Sequence, residues 1–138
     1  MRILWGCLAV VVIAPLVGLF LLFKMPMWRD DARLDDFHER VLAHPLPPET
    51  RSRSDSVAAF DKNSSGNGDY CEYRIHLKLR TNLSQRELQA YYDRAAIGGV
   101  GDHKAEVSVD MGEDVGNSGS VIVEFKDIRP SEWDIRCA

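Results

Sequence analysis

Residues 3–23, ILWGCLAVVVIAPLVGLFLLF, run for 21 residues without a charge. At about 1.5 Å of rise per residue a helix of this length covers about 30 Å, the thickness of a bilayer's hydrocarbon core. The run predicts a transmembrane helix over 1–24, with a domain tethered to one membrane face. Lys24, Met25, Pro26, Met27, Trp28 and Arg29 close it. Trp28 suits the membrane interface, where an indole keeps its ring apolar and its N–H wet. Pro15 predicts a kink, and Pro26 disfavours helix at Met25, so the span is expected to stop there. The apolar core exceeds the roughly 7–15 residues of a cleaved signal peptide, and no small-x-small site follows it. The reading is an uncleaved signal anchor. Leu4-Trp5-Gly6-Cys7 has the form of a lipobox, but the apolar segment follows Cys7 instead of preceding it, which argues against a lipidated cysteine.

Two signals disagree on the side. Positive-inside counting sets Arg2 and the α-amine before the span against Lys24, Arg29, Arg33 and Arg40 after it, which favours a cytoplasmic domain. Asp30, Asp31, Asp35 and Asp36 do not cancel this, because acids count little in that rule. The cysteines point outward. Of three, Cys7 lies in the span, and Cys71 and Cys137 fall on the apolar side of expected strands. One disulfide fits a small domain in an oxidising compartment; two buried reduced thiols are the alternative. The expectation adopted is the outside, with the C-terminal domain extracytoplasmic at the cell membrane.

Residues 24–138 are long enough for one domain. Of 17 basic residues only Arg2 precedes this part, leaving 16 against 21 acidic, a net of −5. That balance argues against nucleic acid as a partner. Residues 30–43, DDARLDDFHERVLA, read as an amphipathic juxtamembrane helix with Leu34, Phe37, Val41 and Leu42 near one face. Asp30 and Asp31 suit its positive N-terminal end, and His44-Pro45 ends it. Pro45-Leu46-Pro47-Pro48 matches PxxP in form but reads as a stiff spacer, and 49–55 as polar loop. The stalk is thus 25–50 and the domain 51–138.

Ser56–Phe60 is a short strand by composition, and 61–69, DKNSSGNGD, a turn. Asn63-Ser64-Ser65 and Asn82-Leu83-Ser84 have the form of glycosylation sequons, which matter only in a eukaryotic secretory pathway. Over 70–80, Cys71, Tyr73, Ile75, Leu77 and Leu79 alternate with Glu72, Arg74, His76, Lys78 and Arg80. That period of two predicts a strand with one face in the core and one wet. Ser84 and Glu87 form a capping box for a helix over 85–96, stapled by Leu83 and Leu88 and ended by Gly98-Gly99. Leu88, Tyr91, Tyr92 and Ala95 make its buried stripe. Residues 105–111 and 120–126 read as a hairpin, with Val107, Val109, Met111, Val121, Val123 and Phe125 inward and a loop over 112–119. Trp133, Ile135 and Cys137 alternate in a last strand. The fold class is α+β: an antiparallel or mixed sheet of about five strands packed by the 85–96 helix, behind the transmembrane and juxtamembrane helices.

No catalytic motif stands out. His38, His44, His76 and His103 show no close metal-ligand spacing. Asp110, Glu113 and Asp114, with Asp102 and Glu106 near, match no EF-hand and read as a solvated acidic turn. The serines lack a G-x-S-x-G elbow. No glycine loop precedes a helix as a phosphate cradle would, and no cofactor is implied. The most suggestive surface is the wet face with Arg74, His76, Lys78 and Arg80, suited to an acidic partner or anionic headgroups. The plainer reading is cross-strand pairing with Glu106, Asp110 or Glu124.

The run Gly66-Asn67-Gly68-Asp69-Tyr70-Cys71-Glu72-Tyr73, following Leu46-Pro47-Pro48-x-Thr50, has the pattern G-N-G-x-x-C-x-Y. Over about residues 45–137 the chain resembles small uncharacterised membrane-anchored or secreted bacterial proteins, many from actinobacteria. The resemblance implies a Gram-positive cell-surface setting and a Cys71–Cys137 pair, and brings no activity. The expected role is binding or scaffolding, with another envelope protein or the envelope surface as partner. The alternatives are an accessory subunit packing Gly6, Ala9, Ala14 and Gly18 against partner helices, and a tethered hydrolase using the acids of 110–114.

Overall fold

The apolar run is the first half of one long helix, α1 (Arg2–Ala43). The computed structural model describes residues 2–63, 70–111 and 120–137, and at 2–10 and 53–55 the backbone alone. α1 is long and apolar enough to cross a membrane, and its side chains from Val11 to Phe23 are exposed. The stop expected at Met25 does not occur. α1 passes through both Pro15 and Pro26. Each proline removes one intrahelical hydrogen bond, and the turns on either side hold the rest. The helix expected at 30–43 is present as the last turns of this rod. Lys24 to Ala43 therefore extends it by about 30 Å.

After α1 come β1 (Thr50–Lys62), β2 (Tyr70–Thr81), α2 (Gln85–Ala95), β3 (Glu106–Met111) and β4 (Ser120–Pro130). The strands form one antiparallel sheet in the order β1-β2-β4-β3, giving the α+β class expected. β1 exceeds the expected Ser56–Phe60 strand at both ends, taking in residues read as polar loop and turn. Its pairing with β2 slips between Ser52 and Ser56. Such a bulge carries a polar stretch along an edge without demanding strict alternation. The last strand expected at 133–137 is instead a 3-10 turn, Ile135–Cys137. Of the turn expected over 61–69, residues 64–69 lie outside the described residues, as do the loop expected over 112–119 with Glu113 and Asp114, and Ser64-Ser65 of one sequon.

One face of the sheet carries the core. Cys71, Tyr73, Ile75, Leu77 and Leu79 of β2 and Val121, Val123 and Phe125 of β4 are buried there. Phe37 and Val41 of α1 and Leu88 and Tyr92 of α2 close it from above. Each such side chain contributes about 1.5–3 kcal/mol on burial. The second half of α1 thus belongs to the domain's core and is no free stalk. Leu42, expected on the same stripe, is exposed, and so is Met111.

α2 begins with the expected capping box: Ser84 N–H donates to Glu87 Oε2 (2.8 Å), and Glu87 N–H donates back to Ser84 Oγ (3.4 Å). Its left-handed end falls on Ala96 (φ 50°), ahead of the glycine pair read as the stop. α2 also covers a sheet edge. Gln85 and Gln89 donate to the carbonyls of Val109 (2.7 Å) and Val107 (2.9 Å) on β3, groups that would otherwise offer themselves to another strand.

Tyr92 stacks edge-on against Phe125 and Tyr91, at 5.2 Å from each ring. Burial pushes its phenol far above the ordinary value, and its hydroxyl meets no hydrogen-bond partner among the described residues. Desolvating an unpaired hydroxyl opposes folding. Tyr92→Phe is therefore expected to leave the unfolding free energy within about 0.5 kcal/mol of wild type, or raise it, in a urea titration. A loss as large as a core truncation would mean that the hydroxyl is bonded.

Candidate functional site

The outer face of β2 bears the cationic ladder read from the sequence, and strand order decides what pairs with it. β4 lies directly beside β2, with His76 opposite Glu124. His76 Nε2 and Glu124 Oε2 are 2.6 Å apart. Glu106 is one strand further and pairs with Lys126 of β4 at 3.3 Å. Arg74 turns the other way, to Asp61 (3.1 Å) and Glu72 (3.2 Å). Asp110 and Lys78 stand on either side of the same residue, Ile122 of β4. The half of the ladder nearer the apolar run is therefore paired within the sheet, as the plainer reading expected, though by partly different acids.

Further along β2, Arg80 stands directly opposite Arg51 of β1. Together with Glu49, Thr50, Thr81 and Asn82 they line an open cleft of about 480 Å³. The cleft lies where β2 ends beside the end of α1, at the far end of the domain from the apolar run. Lys78, two positions before Arg80 on the same face of β2, is exposed.

At the opposite end, 131–137 folds back onto α1 around a buried polar cluster. Asp30 and Asp134 are each 1% exposed. Tyr73 donates to Asp30 Oδ1 at 2.9 Å, and Arg33 donates to the same atom at 3.0 Å. Burial, with Asp30 beside it, pushes the Tyr73 hydroxyl far up, so it stays a neutral donor. Arg136 holds Asp134 (2.7 Å), Asp31 (2.7 Å) and the Met27 carbonyl (3.1 Å), with its guanidinium 4.4 Å over the Phe60 ring. Burial pushes the Asp134 carboxyl up, but the hydrogen bonds and charge of Arg136 outweigh that and hold it below the usual range. Cys71 and Cys137 meet beside the cluster with sulfurs at 2.06 Å and Cα atoms 5.2 Å apart. Arg29 and Arg33 reach Glu132 from the outside, at 2.7 and 3.4 Å.

Asp30 had an obvious sequence explanation, the start of a helix. Because α1 is continuous there, Asp30 instead accepts hydrogen bonds deep in the chain fold. Asp134 and Arg136 carried no local signal beyond their nearness to Cys137. The four histidines stay apart: His38 meets Ser56 Oγ at 2.8 Å, His44 packs on Tyr91, His76 pairs with Glu124, and His103 is exposed. Among the described residues no three His, Cys, Asp or Glu side chains gather as a metal would require. Comparison with family models, with curated proteins and with solved structures finds no match for this chain.

Proposed function

We propose that this protein is a single-pass membrane protein whose α+β domain stands on the outer side of a bacterial cell membrane and works there by binding, as a scaffold for another envelope component. The buried Cys71–Cys137 pair carries the reading of the side. Two thiols held at bonding distance in a core persist as a disulfide where the compartment is oxidising. The clamp of 131–137 on α1 supports the scaffolding reading. It ties the apolar helix to the sheet through ion pairs, a covalent bridge and a shared core, so the domain projects at a set angle and height. The Arg51–Arg80 cleft with Lys78 then lies at the distal end, about 30 Å along the rod from Lys24. The exposed Arg51 and Lys78 there suit an anionic partner.

Thiol accessibility tests the side. A membrane-impermeant maleimide applied to intact cells is expected to label Cys71 and Cys137 only after reduction and mild denaturation. Free thiols reached only after lysis would put the domain in the cytoplasm, as the Lys24, Arg29, Arg33 and Arg40 count favours, and would move the search to cytosolic partners.

A further inference from the structure

α1 and the C-terminal turn enclose an open apolar groove of about 850 Å³. One wall is the end of the apolar run, with Leu19, Leu22, Phe23 and Met25. The other is Trp133 with Ile135. The alternation read from the sequence places both inward, yet Trp133 is 90% exposed and Ile135 55%. Their segment is nonetheless well pinned. Asp134 Oδ1 accepts from Arg136 N–H at 2.9 Å, and Cys137 N–H donates to the Asp134 carbonyl at 3.0 Å. Trp133 itself has φ 71°, a left-handed conformation that bulky side chains rarely take. A large indole fixed outward at a strained position points to a surface it is meant to meet.

We infer that the 131–135 turn docks on the membrane leaflet from which α1 emerges, with Trp133 in the interface and a phospholipid acyl chain in the groove. This rests on the reading of α1 as a membrane span. Depth supplies the argument. The helical wall begins at Leu19 and ends at Arg29, straddling the point where the apolar run gives way to Lys24. Whatever surrounds Leu22 and Phe23 therefore reaches Trp133 as well, and around a membrane span that is lipid. Trp28, on the same rod just past Lys24, is 55% exposed. Two indoles from distant parts of the chain then sit in the belt that tryptophan favours, rings apolar and N–H groups wet. The polar rim fits too: Arg29, which lines the groove, pairs with Glu132 where headgroups would lie.

The test uses the full chain in phosphatidylcholine vesicles. The sequence has three tryptophans, Trp5, Trp28 and Trp133. Three variants keep one each, with Phe at the other two positions. Each is quenched by lipid brominated high on its acyl chains, and separately by aqueous iodide. Trp133 is expected to lose emission to the brominated lipid within about twofold of the loss at Trp28, and to be shielded from iodide. If Trp5 is quenched by lipid while Trp133 responds to iodide alone, α1 spans and the docking inference is wrong. If Trp133 is shielded from both quenchers, protein covers it, a second copy included, and the inference is equally overturned. If brominated lipid leaves Trp5 itself unquenched, the span reading falls and the docking inference with it.

Discussion

Replacing Cys71 and Cys137 together by alanine is expected to lower the unfolding free energy by about 4 kcal/mol. The bridge closes a loop across 66 positions of sequence, and the loop entropy it removes from the unfolded chain is worth about that much. For a domain of this size the thermal midpoint would fall by on the order of 20 °C. The measurement is thermal unfolding of the full chain in detergent, wild type against the double variant, each with and without reductant. Reductant should bring the wild type close to the variant and leave the variant unmoved. The bridge does more than shorten a loop. Cys137 closes the turn that carries Asp134 and Arg136, so its loss also loosens the ion pairs to Asp31 and the Met27 carbonyl. The fall should therefore exceed what two buried sulfhydryl-to-methyl changes alone produce. Equal midpoints for all four samples would show that the cysteines are reduced in the native protein and pack as small apolar groups, which removes the support for an outer-face domain.

Much of the sheet is visible in the amino-acid pattern because its strongest strand is wet on one side only. Tyr73, Ile75, Leu77 and Leu79 alternate with four polar residues, and a one-residue slip of register would expose every one of them. The start of α2 is equally legible, since the capping box is local chemistry. The misreadings share a cause: residues far apart decide them. Pro26 reads as a stop in isolation, yet Asp30, Phe37 and Val41 are held by the sheet, which keeps the rod continuous. Residues 49–55 look like loop because they lie on an edge strand with a bulge, where polarity carries little penalty. Trp133, Ile135 and Cys137 have a strand's spacing, but three positions are too few to separate a strand from a turn. Tertiary ties at Asp134 and Cys137 select the turn. The candidate sites show the same division. Arg74, His76, Lys78 and Arg80 share a face as their spacing implies. Their partners depend on β2 lying between β1 and β4, which gives Asp61 to Arg74 and Glu124 to His76 and which no local pattern states.

The second large effect is expected at Arg136. Arg136→Met keeps the aliphatic stem of the side chain but removes the guanidinium, both the charge that faces Asp134 and the group over the Phe60 ring. What remains for that carboxylate is the backbone N–H of residue 136 (2.9 Å), with Asp30, itself committed to Tyr73 and Arg33, nearby and no cation facing it. A buried carboxylate without its cation is expensive, so the variant should lose about 3–5 kcal/mol at neutral pH. The pH dependence identifies the cause. In the wild type the folded Asp134 value lies below the unfolded one, about 3.9. Its contribution is therefore complete above that value and disappears as pH falls through the depressed folded value. In Arg136→Met burial prevails and raises the carboxyl, so the folded state takes up a proton before the unfolded state does. The variant then gains stability on acidification while the wild type holds level or declines, and the gap between them narrows from pH 7 toward pH 4. Adding Asp134→Asn to Arg136→Met should recover a large part of the loss at pH 7, because the uncompensated charge is gone. A gap that stays constant across this range, unrelieved by Asp134→Asn, would mean that Arg136 stabilises the clamp through its bonds to Met27 and its packing on Phe60, with Asp134 a bystander.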